Sequence, residues 1–172
     1  MASTVERVQA FLGAGGRDVR GRTLAQILAW DDADLERHHD FIQWLFPLAA
    51  PSAFNPDAPV LLVSEFAVMA GDDAVRAGVL AALDRMLTFY GLRRDEAGRV
   101  VQADCWPQRS ADWACAATHN DLRISRILKS LVLFGLRDQA QALLAALERW
   151  VPECRGAAAQ VALAHWRAAV AG

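Results

Sequence analysis

The chain holds 172 residues, 54% of them hydrophobic, with a formal net charge of −2. That length suits one domain, residues 1–172, able to close an apolar core without a disulfide or metal staple. The near-neutral charge excludes the strongly basic surface of an electrostatic nucleic-acid binder, and no apolar run reaches the ~18 residues of a membrane span.

Ser3-Thr4-Val5-Glu6 has the spacing of a capping box and opens a short helix carrying Val5, Val8, Phe11 and Leu12. Gly13, Gly15 and Gly16 end it, and the segment reads as a loosely docked arm. Thr23 caps a second short helix with Leu24, Ile27 and Leu28 at i, i+3, i+4. A third is predicted over residues 38–46, its apolar arc formed by Phe41, Ile42, Leu45 and Phe46 and its polar sector by His39, Asp40 and Gln43. Pro47, Pro51, Pro56 and Pro59 then predict an extended, rigid strap lying on the helices. Ser64-Glu65 starts a short helix ending at Gly71. Residues 72–90 give the cleanest amphipathic pattern, with Val75, Val79, Leu83, Met86 and Tyr90 on one stripe and Gly91 as the residue past its end.

Residues 92–109 are polar and read as a long excursion in which Trp106 is exposed. Residues 119–134 form the next long helix, with Asn120 as its N-cap and a buried stripe of Ile124, Ile127, Leu128, Leu131 and Phe134. Residues 138–151 repeat the pattern, and 157–171 form a last, nearly all-apolar helix around Trp166. Val60 to Val63 and Val100-Val101 are the only candidate strands. The fold class is therefore all-α: a single-domain helical bundle of about seven or eight helices with a proline-rich extended strap.

Charge is uneven: residues 1–91 sum to −5 and residues 92–172 to +3, which suggests ion pairing between the halves. Cys105, Cys115 and Cys154 are odd in number and lack Cys-x-x-Cys spacing. That pattern fits a reduced, cytoplasmic protein. The cysteines and histidines are too scattered for zinc, so no metal and no cofactor is expected.

Three stretches carry a family resemblance. The first is His39-Asp40-Phe41-Ile42-Gln43-Trp44-Leu45-Phe46-Pro47-Leu48, followed by Phe54-Asn55-Pro56-Asp57-Ala58-Pro59. The second is Phe89-Tyr90-Gly91. The third is Trp113, then His119-Asn120-Asp121-Leu122-Arg123-Ile124 and Arg126-Ile127-Leu128-Lys129-Ser130-Leu131. In this order they resemble the conserved N-terminal domain of the opioid growth factor receptor family, over residues 22–151, in a short form without the family's long repeat tail. The resemblance implies a receptor-like domain that recognises a short peptide, and it transfers no peptide-contact residue.

The motif residues themselves suggest a site. His39 and Gln43 stand at i, i+4 with Trp44 beside them, and Arg123 and Arg126 at i, i+3 are spaced to grip a carboxylate or phosphate. His119 stands at the N-terminus of the same helix, where anions are favoured. The ligand-binding candidates are therefore His39, Gln43, Trp44, His119, Arg123 and Arg126, for a peptide, a small anionic ligand or a protein partner. In the alternative they are structural, with Asp40 paired to Arg123 or Arg126, Asn120 capping and Gln43 bonded to the strap. No catalytic set stands out: there is no nucleophile elbow and no glycine-rich phosphate loop. An enzyme acting on an anionic small molecule through His39, His119, Arg123 and Arg126 is the alternative function, and a purely structural interaction module the third.

Overall fold

The structure is a computed structural model and describes residues 2–172. It is mostly helical and divides into two compact units. The first comprises residues up to Leu83 together with Leu133–Gly135; the second comprises Asp84–Val132 and Leu136–Gly172.

The first unit opens with α1 (Thr4–Gly13), held by the expected capping box: the Glu6 amide donates to Ser3 Oγ at 3.3 Å and the Ser3 amide to Glu6 Oε2 at 2.7 Å. The segment is no loose arm. Val8, Phe11 and Leu12 are buried, because α6 (Asp73–Phe89) has a glycine where α1 meets it. A Cβ at Gly78 would overlap the Leu12 carbonyl. Asp72 ties the same two helices together, capping α6 through the Ala74 and Val75 amides while accepting from Gln9 Nε2 at 2.9 Å.

Thr23 and Gln26 form a second capping box at α2 (Leu24–Leu28). The helix predicted over 38–46 is reduced to a single short turn, and a separate helix precedes it. α3 (Asp32–Arg37) is capped by Asp31, His38 turns extended, and the backbone re-enters a helical turn only at α4 (Ile42–Leu45). The Asp31 carboxylate satisfies the Asp34 amide at 2.7 Å and so fixes the helix start earlier than the apolar arc implies. Beyond Pro47, residues 47–61 hold no helix; Leu48 pairs with Val60 in a single parallel bridge, and Pro59 and Leu61 are buried. α5 (Val63–Ala70) buries Phe66 and Met69, with Phe66 edge-on to Phe134 at 5.0 Å.

In the second unit the polar excursion is ordered. Leu92–Arg94 (β1) and Val100–Gln102 (β2) form an antiparallel hairpin closed by the Asp95–Arg99 turn, so the fold is not purely α. α7 (Trp106–Trp113) follows, with Pro107 in its first turn, where a missing amide costs nothing. Trp106 is buried rather than exposed, lying 6.0 Å from Trp113 and 5.8 Å from Trp150. α8 (His119–Leu133) buries Ile124, Ile127, Leu128 and Leu131 as the stripe predicts. α9 (Arg137–Arg155) runs on through Pro152 until Gly156, at φ +60, ends it. A short 3-10 turn (Gly156–Ala158) leads into α10 (Ala159–Ala171), which packs on α9. Among the described residues no helix is long and apolar enough to cross a membrane.

Candidate functional site

In the first unit, His39 is exposed while Gln43 and Trp44 are buried, at 5% and 1% exposure. Gln43 is held from two sides: its amide donates to the His39 carbonyl at 3.2 Å, and its oxygen accepts from Asn55 Nδ2 at 3.3 Å. Trp44 lies edge-on to Phe11 at 5.5 Å, with the Arg7 guanidinium 5.4 Å from its ring centre. Its buried indole N–H has no hydrogen-bond partner among the described residues.

Asp40 finds its ion-pair partners within the first unit, in place of the Arg123 or Arg126 expected from the sequence. Arg22 reaches it at 2.9 Å and Arg20 at 3.2 Å, while Arg22 also bonds the buried Asp18 at 2.7 Å. The reason is local. Asp18 accepts the Arg20 and Arg22 amides, closing a turn that aims both arginines at the start of the motif. Burial pushes the Asp40 carboxyl up, but the Arg22 hydrogen bond and charge, with Arg20, outweigh it and hold the group below its usual value.

In the second unit the motifs meet one another. Tyr90 lies tilted against Trp113 at 4.9 Å between ring centres, and the Trp113 indole donates to the Tyr90 carbonyl at 3.2 Å. The Tyr90 hydroxyl donates to Asn120 Oδ1 at 3.4 Å, and Arg123 Nη1 reaches the same oxygen at 3.5 Å. Arg109 covers the Phe89 ring at 4.7 Å and donates to the Phe89 carbonyl. Asn120 is thus an interior acceptor and not the N-cap. Thr118 takes that role, its hydroxyl accepting the Asn120 amide at 3.2 Å. Gly91 sits at φ +77 with α7 pressed close against it: a Cβ there would lie 3.0 Å from Trp106 Cα and 2.9 Å from Arg109 Cβ.

Of the α8 candidates, His119 is exposed, Arg123 is 5% exposed, and Arg126 is half-buried, with burial pulling its pKa down. Ser130, one turn beyond Arg126, is fully buried, and its hydroxyl has no hydrogen-bond partner among the described residues.

Two features escaped the sequence reading. Arg155 is one: its guanidinium grips both Asp121 oxygens at 2.8 and 3.1 Å and donates to the carbonyls of Trp113, Ala114 and Ala116. The other is a groove of about 400 Å³ between α8 and α10. Leu122, at 59% exposure, and Val161, at 71%, line it with Ser125, Lys129 and His165. Trp166, buried at its base, donates to the Asp121 carbonyl at 3.1 Å. The spacing of Leu122, Ser125 and Lys129 on one helix face was the available signal; the other wall lies about 40 residues downstream, beyond any local pattern. Among the described residues no three His, Cys, Asp or Glu side chains are grouped to hold a metal ion.

The comparisons agree with this assembly of motifs. The family profile described as the opioid growth factor receptor (OGFr) conserved region matches residues 18–166. The human opioid growth factor receptor is 39% identical over 106 residues, covering 59% of this chain and 15% of that protein. Mouse opioid growth factor receptor-like protein 1 is 36% identical over 108 residues, covering 61% of this chain and 22% of that protein. The aligned part is therefore a small fraction of these relatives' length. No solved structure matches the chain. With the matched region enclosing Phe89-Tyr90-Gly91, Trp113 and the α8 motif, the chain belongs to the family of the opioid growth factor receptor conserved region.

Proposed function

We infer that this chain is a non-enzymatic binding domain that takes a short peptide, or a small anionic ligand, through its second unit. The groove between α8 and α10 carries the reading. Leu122 and Val161 offer exposed apolar walls, and Lys129 and His165 stand on the same rim. A mixed pocket of this kind suits an amphipathic ligand: an apolar side chain against the walls, a carboxylate toward the cations. The relatives' name makes a short peptide the first ligand to test, and a protein partner presenting such a terminus would bind by the same contacts.

The motif residues are proposed in two roles. In the second unit, exposed His119 is a contact residue, half-buried Arg126 contributes positive charge along α8 and buried Arg123 is a positioning residue. In the first unit, taken by itself, exposed His39 is a contact residue, with Gln43, bonded to its carbonyl, and buried Trp44 as positioning residues.

Calorimetric titration tests this with short peptides in free-acid and amide form, and with phosphorylated small molecules. The free acid is expected to bind, with Lys129→Ala weakening it about tenfold, or ~1.4 kcal/mol. Leu122→Ser should weaken acid and amide alike. No binding of any probe by the folded wild type would overturn the reading.

A further inference from the structure

We propose that Cys115 and Cys154 are a modification site: a thiol pair that closes reversibly to an intramolecular disulfide when the protein meets a low-molecular-weight disulfide such as oxidised glutathione. Cys115 lies in the segment between α7 and α8, and Cys154 is the penultimate residue of α9. Arg155, directly after Cys154, fastens the two segments together. It donates to the carbonyls of Trp113 at 2.9 Å, Ala114 at 3.1 Å and Ala116 at 2.7 Å, so its hydrogen bonds bracket Cys115 on both sides. The guanidinium is 3% exposed and locked by Asp121, so this juxtaposition belongs to the folded state. Burial, then a hydrogen bond and charge from Cys115 and the charge of Glu153, push the Cys154 thiol up against an opposing pull from Arg155.

Their environments assign the order of attack. Cys115 is exposed and Cys154 half-buried. The Cys115 thiolate attacks the small disulfide, forming a mixed disulfide and releasing one small thiolate. Cys154 sulfur then attacks Cys115 sulfur and expels the second. Two protein thiols are oxidised to one disulfide, and the small disulfide is reduced to two thiols, which take up the two protons. The linkage would pin the segment that carries Ala117 on the groove rim, yet the site stands whatever the groove binds.

The test equilibrates the folded, fully reduced chain with graded ratios of oxidised to reduced glutathione, blocks free thiols, and maps the linkages by mass spectrometry without reduction. The expected product is the monomer lacking two hydrogens, with Cys115 joined to Cys154 and Cys105 free; Cys105→Ser should behave identically. Cys115→Ser and Cys154→Ser, each combined with Cys105→Ser, should form no linkage and stop at a glutathione adduct on the surviving member of the pair, reversed by reductant. Should either variant fail to fold, the wild-type map decides alone. Adducts on Cys115 and Cys154 without linkage at every ratio, linkage through Cys105, or linkage formed only in denaturant would overturn the proposal.

Discussion

Arg155 directs five hydrogen bonds into a small volume, two to one carboxylate and three to backbone carbonyls of the segment preceding α8. Only a planar, forked cation reaches that many acceptors at once; an ammonium is a point charge with three donors. Removing it strands the Asp121 charge and three carbonyls that have lost their donor. Arg155→Ala is therefore expected to destabilise by about 3–5 kcal/mol, the range for breaking a buried pair by losing one member. Arg155→Lys should recover less than half of that loss. Urea titration followed by tryptophan fluorescence reads both, and a lysine variant as stable as wild type would show that charge alone suffices. Gly91 is the other residue whose identity is dictated. Its positive φ and the approach of Trp106 leave no room for a Cβ, so Gly91→Ala should cost about 1–3 kcal/mol.

Among the elements, the packing of α1 on α6 depends on a single missing methyl group. In an exposed helix interior, Gly→Ala stabilises by ~1 kcal/mol, because alanine is the better helix former. At Gly78 the sign should invert, since the new Cβ collides with the Leu12 carbonyl and must push α1 away, costing about 1–3 kcal/mol. Ala77→Gly, at the exposed neighbouring position, serves as the control and should cost only ~1 kcal/mol. If Gly78→Ala proved stabilising, α1 would be the loose arm that its glycine-rich end suggests. The periodic elements were legible in the sequence: Val75, Met86, Ile124, Ile127, Leu131, Leu143 and Leu147 are all buried where the 3.6-residue stripe places them. The hairpin and α7 were not. Three-residue strands around an Asp95–Arg99 turn carry too few side chains to show alternation, and α7 is a polar sequence whose helical signal is a proline in the first turn. The candidate site was legible only in part. Asn120 and Arg123 drew notice as motif residues, but their roles depend on Tyr90, about 30 residues upstream. Arg155 has no pattern at all, because its partners are mostly backbone oxygens.

For the whole chain, the response to acid follows from where its carboxylates are held. Four are lowered from their ordinary values: Glu6 by the Ser3 backbone amide, Asp72 by Gln9 and the α6 amides, Asp95 by the Arg99 amide, and Asp40 by Arg22 and Arg20 against its own burial. A carboxyl with a depressed folded-state pKa leaves the unfolded chain binding more protons in that range, so stability is present above the unfolded value, near 4, and drains away as pH falls through the folded one. Urea midpoints are thus expected to be flat from pH 7 to about 5 and to fall progressively below about 4. Asp40 is the member to isolate, because its partner Arg22, together with Asp18, organises the turn leading into the first motif. Asp40→Asn should lower the midpoint at pH 7, where the ion pairs are intact, and the difference from wild type should shrink as pH falls below the unfolded carboxyl's value, near 4, and through the lower folded-state one. A difference that stays constant across the whole acid range would mean that Asp40 contributes through its hydrogen bonds and shape, and that its charge toward Arg22 and Arg20 adds nothing.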